Sequence, residues 1–469
     1  MMERQDVQIP IEQQPELSND DKGLINKLDS ARQRIRSGAQ GVTKDDQQMI
    51  KIQRVPKIML QKGNFEEYFA PRELAIGPLH SKTRRLRKKD LKHRLAAKFI
   101  ADSDQTAETL LKEIKKNIPE IKQRFEKKVI NNTSYDDDKL ARMLFLDGCS
   151  VLQFIYSYVN DDLKGFEINS GQAAWIRHDL FLLENQIPFR VLIVLMNLSV
   201  HTMKLVKNIY RFIFMNIMAP VNYYSHRRHV RYLSRLGSNK LFIGNKEPVH
   251  LLDLLRSELL FEDGRDITAQ GHAGKVQDPL FSDYRRSFRN VQDLRAVGIK
   301  LKPRYTSGLR SVSFSSRFFI FGRLKLPPLI VDDSTARKLL NLVAYEMCPD
   351  NYKTNYAVTS YLSFLDSLID SEQDVKDLRS AHVLRNHLSS DAEVAQLFNT
   401  IGSHLVPHDT YFEVKNEIQR HYERRVVVWI AQFYKDHFRS PWTILALLAA
   451  ATALIFTAIQ AYYAVNPKK

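Results

Sequence analysis

LARMLFLDGCSVLQFIYSYV, Leu140–Val159, is apolar on nearly every side of a helical wheel. A surface helix keeps a polar face, so this stretch is predicted to be a helix buried at the centre of a large body. Next along the chain, HDLFLLENQIPFRVLIVLMNLSV (His178–Val200) reads as helix, turn, helix. Pro188 cannot continue the first helix, but it can open the second, where its missing N–H costs no bond. NIYRFIFMNIMAPVNYY (Asn208–Tyr224) is a third apolar run, interrupted by Arg211. All three fall short of about 18 uncharged residues and are predicted to be core helices. Upstream, Leu91, Leu95 and Phe99, then Leu110, Leu111, Ile114, Ile118 and Ile121, recur at three and four, a helical period.

Downstream the pattern changes once. SVSFSSRFFIFGRLKLPPLIVDD (Ser311–Asp333) mixes β-branched and aromatic residues and is punctuated by Gly322 and Pro327–Pro328, which predicts a small β element. Asp332, Asp333 and Ser334 are placed to cap a helix running through Glu346. Helices are also expected at His250–Leu260, Ala357–Ile369, Ala392–Ile401 and Tyr411–Phe438. The first 46 residues, polar and without an aromatic side chain, are expected to be a disordered leader. Basic or Gly-, Asp- and Ser-rich loops are expected near 225–248 and 261–290. The fold class is thus mainly α: a large helical body over 47–440 with a small β element.

Thr443–Val465, TILALLAAATALIFTAIQAYYAV, carries no charge and has Trp442 before it and Tyr462 and Tyr463 at its end. At about 1.5 Å per residue it is long enough for a hydrocarbon core of about 30 Å, and a single C-terminal transmembrane helix is expected. The start of the chain has no apolar signal segment, so such an anchor would leave the body in the cytosol, at the plasma membrane or an endomembrane.

Seventy Lys and Arg against 53 Asp and Glu give a net charge of +17, which favours anionic partners. With two cysteines a disulfide scaffold is excluded, and no Cys/His spacing suits zinc. Phosphate-binding, dinucleotide, serine-hydrolase and metalloprotease signatures are absent, so neither a cofactor nor a metal is expected. Asp147 and Glu184 stand out because each lies in an apolar run and needs a partner or a shifted pKa. Together with Cys149 they would be the acid, base and nucleophile of an enzyme. The competing expectation is structural: Asp147, Gly148, Cys149, Glu184, Asn185, Gln186 and Pro188 build a buried turn, the amides of Asn185 and Gln186 satisfying helix ends. KTRRLRKKDLKHR (Lys82–Arg94) contains Arg84, Arg85, Arg87, Lys88 and Lys89; a second basic group is Arg227, Arg228 and Arg231. Either could contact acidic lipid or another polyanion. Nucleic acid is not expected, since no aromatic interleaves the first cluster for base stacking.

Ten segments occur in a recognisable order: IQRVP, the piece ending in IGPLH, LFLDGCSVLQF, DLFLLENQIPF, HLLDLLR, DLRAVGIKLK, LPPLIVDDSTARKLLNLVAYEMC, TSYLSFLDSLID, SDAEVAQLFN and SPW. In this the chain resembles the plant family known as domain of unknown function 247, or uncharacterised protein family 0481, from about Lys51 to the C-terminus. The resemblance implies a plant protein with a helical body, a C-terminal membrane anchor and no established enzymatic activity. AYEMC stands where AFEQC is common in that family. The functional expectation is a non-enzymatic module that recognises another protein, the alternatives being an acidic-lipid or polyanion scaffold and an enzyme built on Asp147, Glu184 or Cys149.

Overall fold

The computed structural model describes residues 50–60, 65–80, 89–131, 135–218, 247–260, 290–304, 308–317, 321–349, 356–403, 405, 409–423 and 441–465, with 26, 28–30, 32 and 33. The chain divides into two units, Met1–Met49 and Ile50–Lys469. In the first, the described residues are helical, and the Ser30 hydroxyl donates to the Asn26 carbonyl at 2.7 Å. The rest of the expected leader lies outside the described residues.

The second unit is mostly helical. After an arm over residues 50–60 and 65–80, irregular apart from a 3-10 turn at Lys57–Leu60 and one helical turn at Phe65–Tyr68, come α1 (Lys89–Ser103), α2 (Ala107–Gln123) and α3 (Asp137–Val159). Thr106 caps α2 by accepting from the Thr109 N–H at 3.2 Å, and Asp136 caps α3 through the Lys139 N–H at 2.6 Å. The stretch expected to be central is central: α1 and α2 pack on α3, as do α5 (Phe189–Leu198) and α6 (Thr202–Asn216) further along. Gly148 permits the α3–α5 approach, because a Cβ there would sit 2.7 Å from Leu195 Cδ1 and 2.8 Å from Val191 Cγ1. Phe154, Phe181 and Phe212 meet in the same core, Phe181 stacked on Phe212 at 5.6 Å and Phe154 edge-on to it at 6.4 Å. Each fully buried side chain of this size contributes about 1.5–3 kcal/mol.

Between α3 and α5 lies α4 (Ser170–Asp179), opened by a capping box of Asn169 and Gln172. It ends at Asp179, so the helix expected from His178 to the ENQIP turn does not form, and residues 180–188 are irregular. Then come α7 (Leu251–Leu260), packed on α6, and α8 (Val291–Ala296). A three-stranded sheet follows from β1 (Ile299–Pro303), β2 (Ser313–Arg317) and β3 (Phe321–Leu326), with β3 central, parallel to β1 and antiparallel to β2. Gly322, Leu324 and Leu326 of β3 face inward between exposed neighbours, the alternation of a half-covered sheet. After β4 (Leu329–Val331) come α9 (Thr335–Glu346), α10 (Ala357–Asp366), α11 (Glu372–Ser380), β5 (Leu384–Asn386, parallel to β4), α12 (Asp391–Gly402) and α13 (Phe412–Tyr422). α9, α10, α11 and α12 form a second helical layer.

The last element, α14 (Pro441–Val465), is helical, and its described large side chains, including Leu445, Leu454, Phe456 and Tyr462, are exposed. The side chains of 441–444, 447 and 463–465 lie outside the described residues. Among the described residues no helix is long and apolar enough to cross a membrane. The expected single transmembrane helix at Thr443–Val465, and the anchored membrane localisation drawn from it, are corrected on that finding.

Candidate functional site

The arm belongs to neither sheet, so its backbone N–H groups outside the helical turns need other acceptors. Ile52 exchanges bonds with the backbone of Arg124 and Glu126, at 2.8 and 3.0 Å. Buried side chains supply the rest. Glu184 Oε1 accepts from Val55 N–H at 2.9 Å; its Oε2 is 3.9 Å from Arg54 and 4.0 Å from His80. Asp179, fully buried, accepts from three successive N–H groups, those of Arg72, Glu73 and Leu74, at 2.6–3.1 Å. Asn185 accepts from Ile76 N–H at 2.8 Å and donates to the Leu74 and Asp179 carbonyls, both at 2.9 Å. Asp147 Oδ2 accepts from Gly77 N–H at 2.9 Å while its Oδ1 takes the Lys92 ammonium. Gly77 has φ +71°, and a Cβ there would lie 2.3 Å from the Gln186 carbonyl oxygen, so only glycine fits that crossing.

The ENQIP turn is therefore a buried seam. Gln186 donates to the Leu180 and Leu182 carbonyls at 2.9 and 2.8 Å, bonds that tie the irregular segment as a helix would otherwise have done. Pro188 immediately precedes α5, and Phe189 N–H donates to the Val249 carbonyl at 2.8 Å. Burial raises the carboxyl pKa values of Asp179 and Glu184, opposed by the backbone N–H groups they hold. Cys149 is fully buried, and burial pushes its thiol up, away from the reactive thiolate. Glu346 binds Arg256 at 2.7–2.8 Å and accepts from the N–H groups of Val358 and Thr359. Asp147, Glu184 and Glu346 thus hold separate sets of partners. Arg84, Arg85, Arg87, Lys88, Arg227, Arg228 and Arg231 lie outside the described residues; Lys89 opens α1 by its backbone, and its side chain lies outside them too.

A second polar group, unmarked by any sequence motif, surrounds Trp175 on α4. The Arg72 guanidinium lies 4.1 Å and that of Arg337 5.4 Å from the ring centre, and His178 meets it edge-on at 5.5 Å. Arg177 faces Tyr158 Oη at 3.2 Å and His178 Nε2 at 3.3 Å. Arg337 and Lys338, 5 % and 4 % exposed, occupy the first turn of α9. Burial, and then the charges of Lys338, Arg177 and Arg337, lower the His178 pKa to about 3. Burial brings Lys338 down to about 8. Elsewhere a cleft of about 200 Å³ opens between α1, α3 and the start of α6, lined by Lys98, Asp102, Gln153, Tyr156, Asp162 and His201. Among the described residues no group of three or more His, Cys, Asp or Glu could hold a metal ion.

Comparison with known proteins gives one consistent result. The UPF0481 protein At3g47200 of Arabidopsis thaliana is 25 % identical over 431 residues, covering 86 % of this chain and 84 % of that protein. A second Arabidopsis thaliana UPF0481 protein, At3g02645, is 32 % identical over 175 residues, 37 % of this chain and 32 % of the relative. No solved structure matches the chain significantly. Residues 52–456 match the family described as DUF247, plant protein of unknown function, and the chain belongs to that family.

Proposed function

We propose that the helical body is a binding module that acts by holding another protein and not by covalent chemistry. The observation that carries this is the commitment of the candidate acids. Asp147 and Glu184 are occupied by N–H groups of the arm, and Glu346 by Arg256 and the start of α10. A general acid or base needs a lone pair or proton free to face a substrate. Cys149 adds no nucleophile while its thiol is buried and held protonated.

Two measurements on the full chain test this. Proximity labelling in plant cells names neighbours, and titration of a purified neighbour against the purified chain is expected to give saturable binding that Glu184→Gln leaves intact in folded protein. Incubation with plant metabolite extract, followed by mass spectrometry, is expected to show no consumption above buffer. Turnover that is lost in folded Glu184→Gln or Cys149→Ser protein would overturn the proposal. The net charge of +17 favours one second reading, a scaffold for acidic lipid or another polyanion. Binding to acidic vesicles that weakens steeply with salt supports it; salt-independent binding counts against it.

A further inference from the structure

The group around Trp175 is unusual in one consistent way: its unmet hydrogen-bonding capacity is all on the donor side. Arg337 Nε and Nη1 and Arg177 Nε are buried without an acceptor. His178 Nδ1 is buried without a partner too, and because Arg177 donates to Nε2, the ring proton sits on Nδ1. Lys338, 4 % exposed, has no side-chain hydrogen bond to a described residue, and the Asp332 charge is the anion that attracts it.

The nearby acids do not balance these cations. Asp179 gives its oxygens to three backbone N–H groups and stands 3.8 Å from Arg337. Asp332 gives one oxygen, Oδ1, to the Ser334 N–H and hydroxyl and to the Thr335 hydroxyl, while its charge still attracts Lys338. Glu67 reaches Arg337 only from the exposed surface and is shared with Tyr68. Placement makes the imbalance sharper. Arg337 and Lys338 lie in the first turn of α9, where the helix dipole already disfavours a cation and favours an anion. Buried, unpaired charges are costly, and natural interiors pair them. Half-exposed Trp175 and Arg177 and exposed Arg72 give the cluster a rim open to solvent.

We infer that Arg177, His178, Arg337 and Lys338, gathered between the last turn of α4 and the first turn of α9, form a binding site for a tetrahedral oxyanion, a phosphate group. Arg337 and Lys338 supply charge at the floor, His178 a neutral N–H donor, and Arg177 the rim, while Trp175 fixes the two guanidinium planes by cation–π contact. The phosphate is either the free ion or the head of a small phosphomonoester. The site is independent of whether the body also holds a protein partner.

The test is calorimetric titration of the purified full chain, freed of phosphate by dialysis, with inorganic phosphate and with phenyl phosphate at constant ionic strength. Saturable one-to-one binding of either is expected. Tighter phosphate marks the free ion as the ligand, tighter phenyl phosphate an organic monoester. Lys338→Met is expected to weaken binding by about tenfold or more. Without phosphate it should melt no lower than the native chain, because it removes a buried charge held by no side-chain hydrogen bond to a described residue; a merely structural lysine would lower the melting temperature. Should Lys338→Met fail to fold, Arg177→Gln on the rim decides by the same loss of affinity. No saturation up to about 10 mM of either probe, or native affinity in these variants, overturns the inference.

Discussion

Two buried polar regions lie on either side of α4, and they are finished differently. At the arm, each of Asp147, Asp179, Glu184 and Asn185 meets donors that the chain itself provides, 55–129 positions away. At Trp175, four cations and a histidine ring share acids already in use elsewhere. The first region behaves as a largely completed interior, in which the buried acids and Asn185 all have partners and His80 Nε2, 4.0 Å from Glu184, lacks a hydrogen bond. The second is complete only with an anion that the chain lacks. A polar interior closed by its own backbone serves the fold; one left short of acceptors marks a place for a ligand.

The largest effect is expected at the arm. Asp179→Asn keeps the shape but replaces an acceptor oxygen by a donor, facing the three N–H groups that Asp179 holds. A loss of about 3–5 kcal/mol is expected, with hydrogen exchange at Arg72, Glu73 and Leu74 rising first. Protection unchanged at those three amides would separate the arm from Asp179. Asn185→Ala removes one acceptor and two donor bonds and is expected to cost about 1–3 kcal/mol in chemical denaturation.

A smaller effect distinguishes the regions by pH. His80, His178 and His250 are held neutral by burial, with pKa values lowered to about 4, about 3 and about 4. Each ring binds a proton more readily when the chain is unfolded. Its contribution to stability is therefore full above pH 6.5 and is lost as pH falls from 6.5 toward the folded values. About 1 kcal/mol per ring is expected to go by pH 5.5. Asp179 and Glu184, whose carboxyls burial raises, work in the opposite sense and soften the loss. Bound phosphate, by accepting from His178, is expected to reduce the acid sensitivity of the native chain more than that of Lys338→Met. Equal pH profiles with and without phosphate would break the contrast between the two regions.

Much of the architecture could be read from local pattern. Leu140–Val159 is apolar all round because it is surrounded on all sides, and the change to β-branched and aromatic residues near Ser311 marks β2 and β3. The edge strands β1 and β5 escaped notice. IKLKP is short and half lysine, and LRN has three residues, so neither shows enough alternation. The helix expected after His178 fails for a non-local reason. Asp179, Asn185 and Gln186 spend their side chains on the arm and on nearby carbonyls, and no spacing within HDLFLLENQIP reveals that the arm will come to them. At Thr443–Val465 apolarity alone suggested a membrane span, whereas among the described residues no helix is long and apolar enough for one.

The Trp175 group was invisible for the opposite reason. WIRHD and TARK read as ordinary charged helix ends, 156 or more positions apart, and only their meeting turns surface-like residues into buried ones. DDS before TARK signalled a cap, but Ser334 stands at the N-cap without a side-chain cap bond, and Asp332 accepts from the Ser334 N–H and the two hydroxyls of Ser334 and Thr335. A cation at each of two consecutive positions in the first turn of an apolar helix is the one local signal that could have raised the question.

The contrast between the regions is tested most directly by melting Asp179→Asn and Lys338→Met beside the native chain in one phosphate-free buffer. Both substitutions remove a charge from a residue nine-tenths or more buried, so burial alone predicts losses of the same sign. The predicted result is a divided one: Asp179→Asn melts several degrees lower, and Lys338→Met melts at or above the native temperature. A comparable drop in both variants would contradict the account, because it would mean that Lys338 already has its partner within the fold.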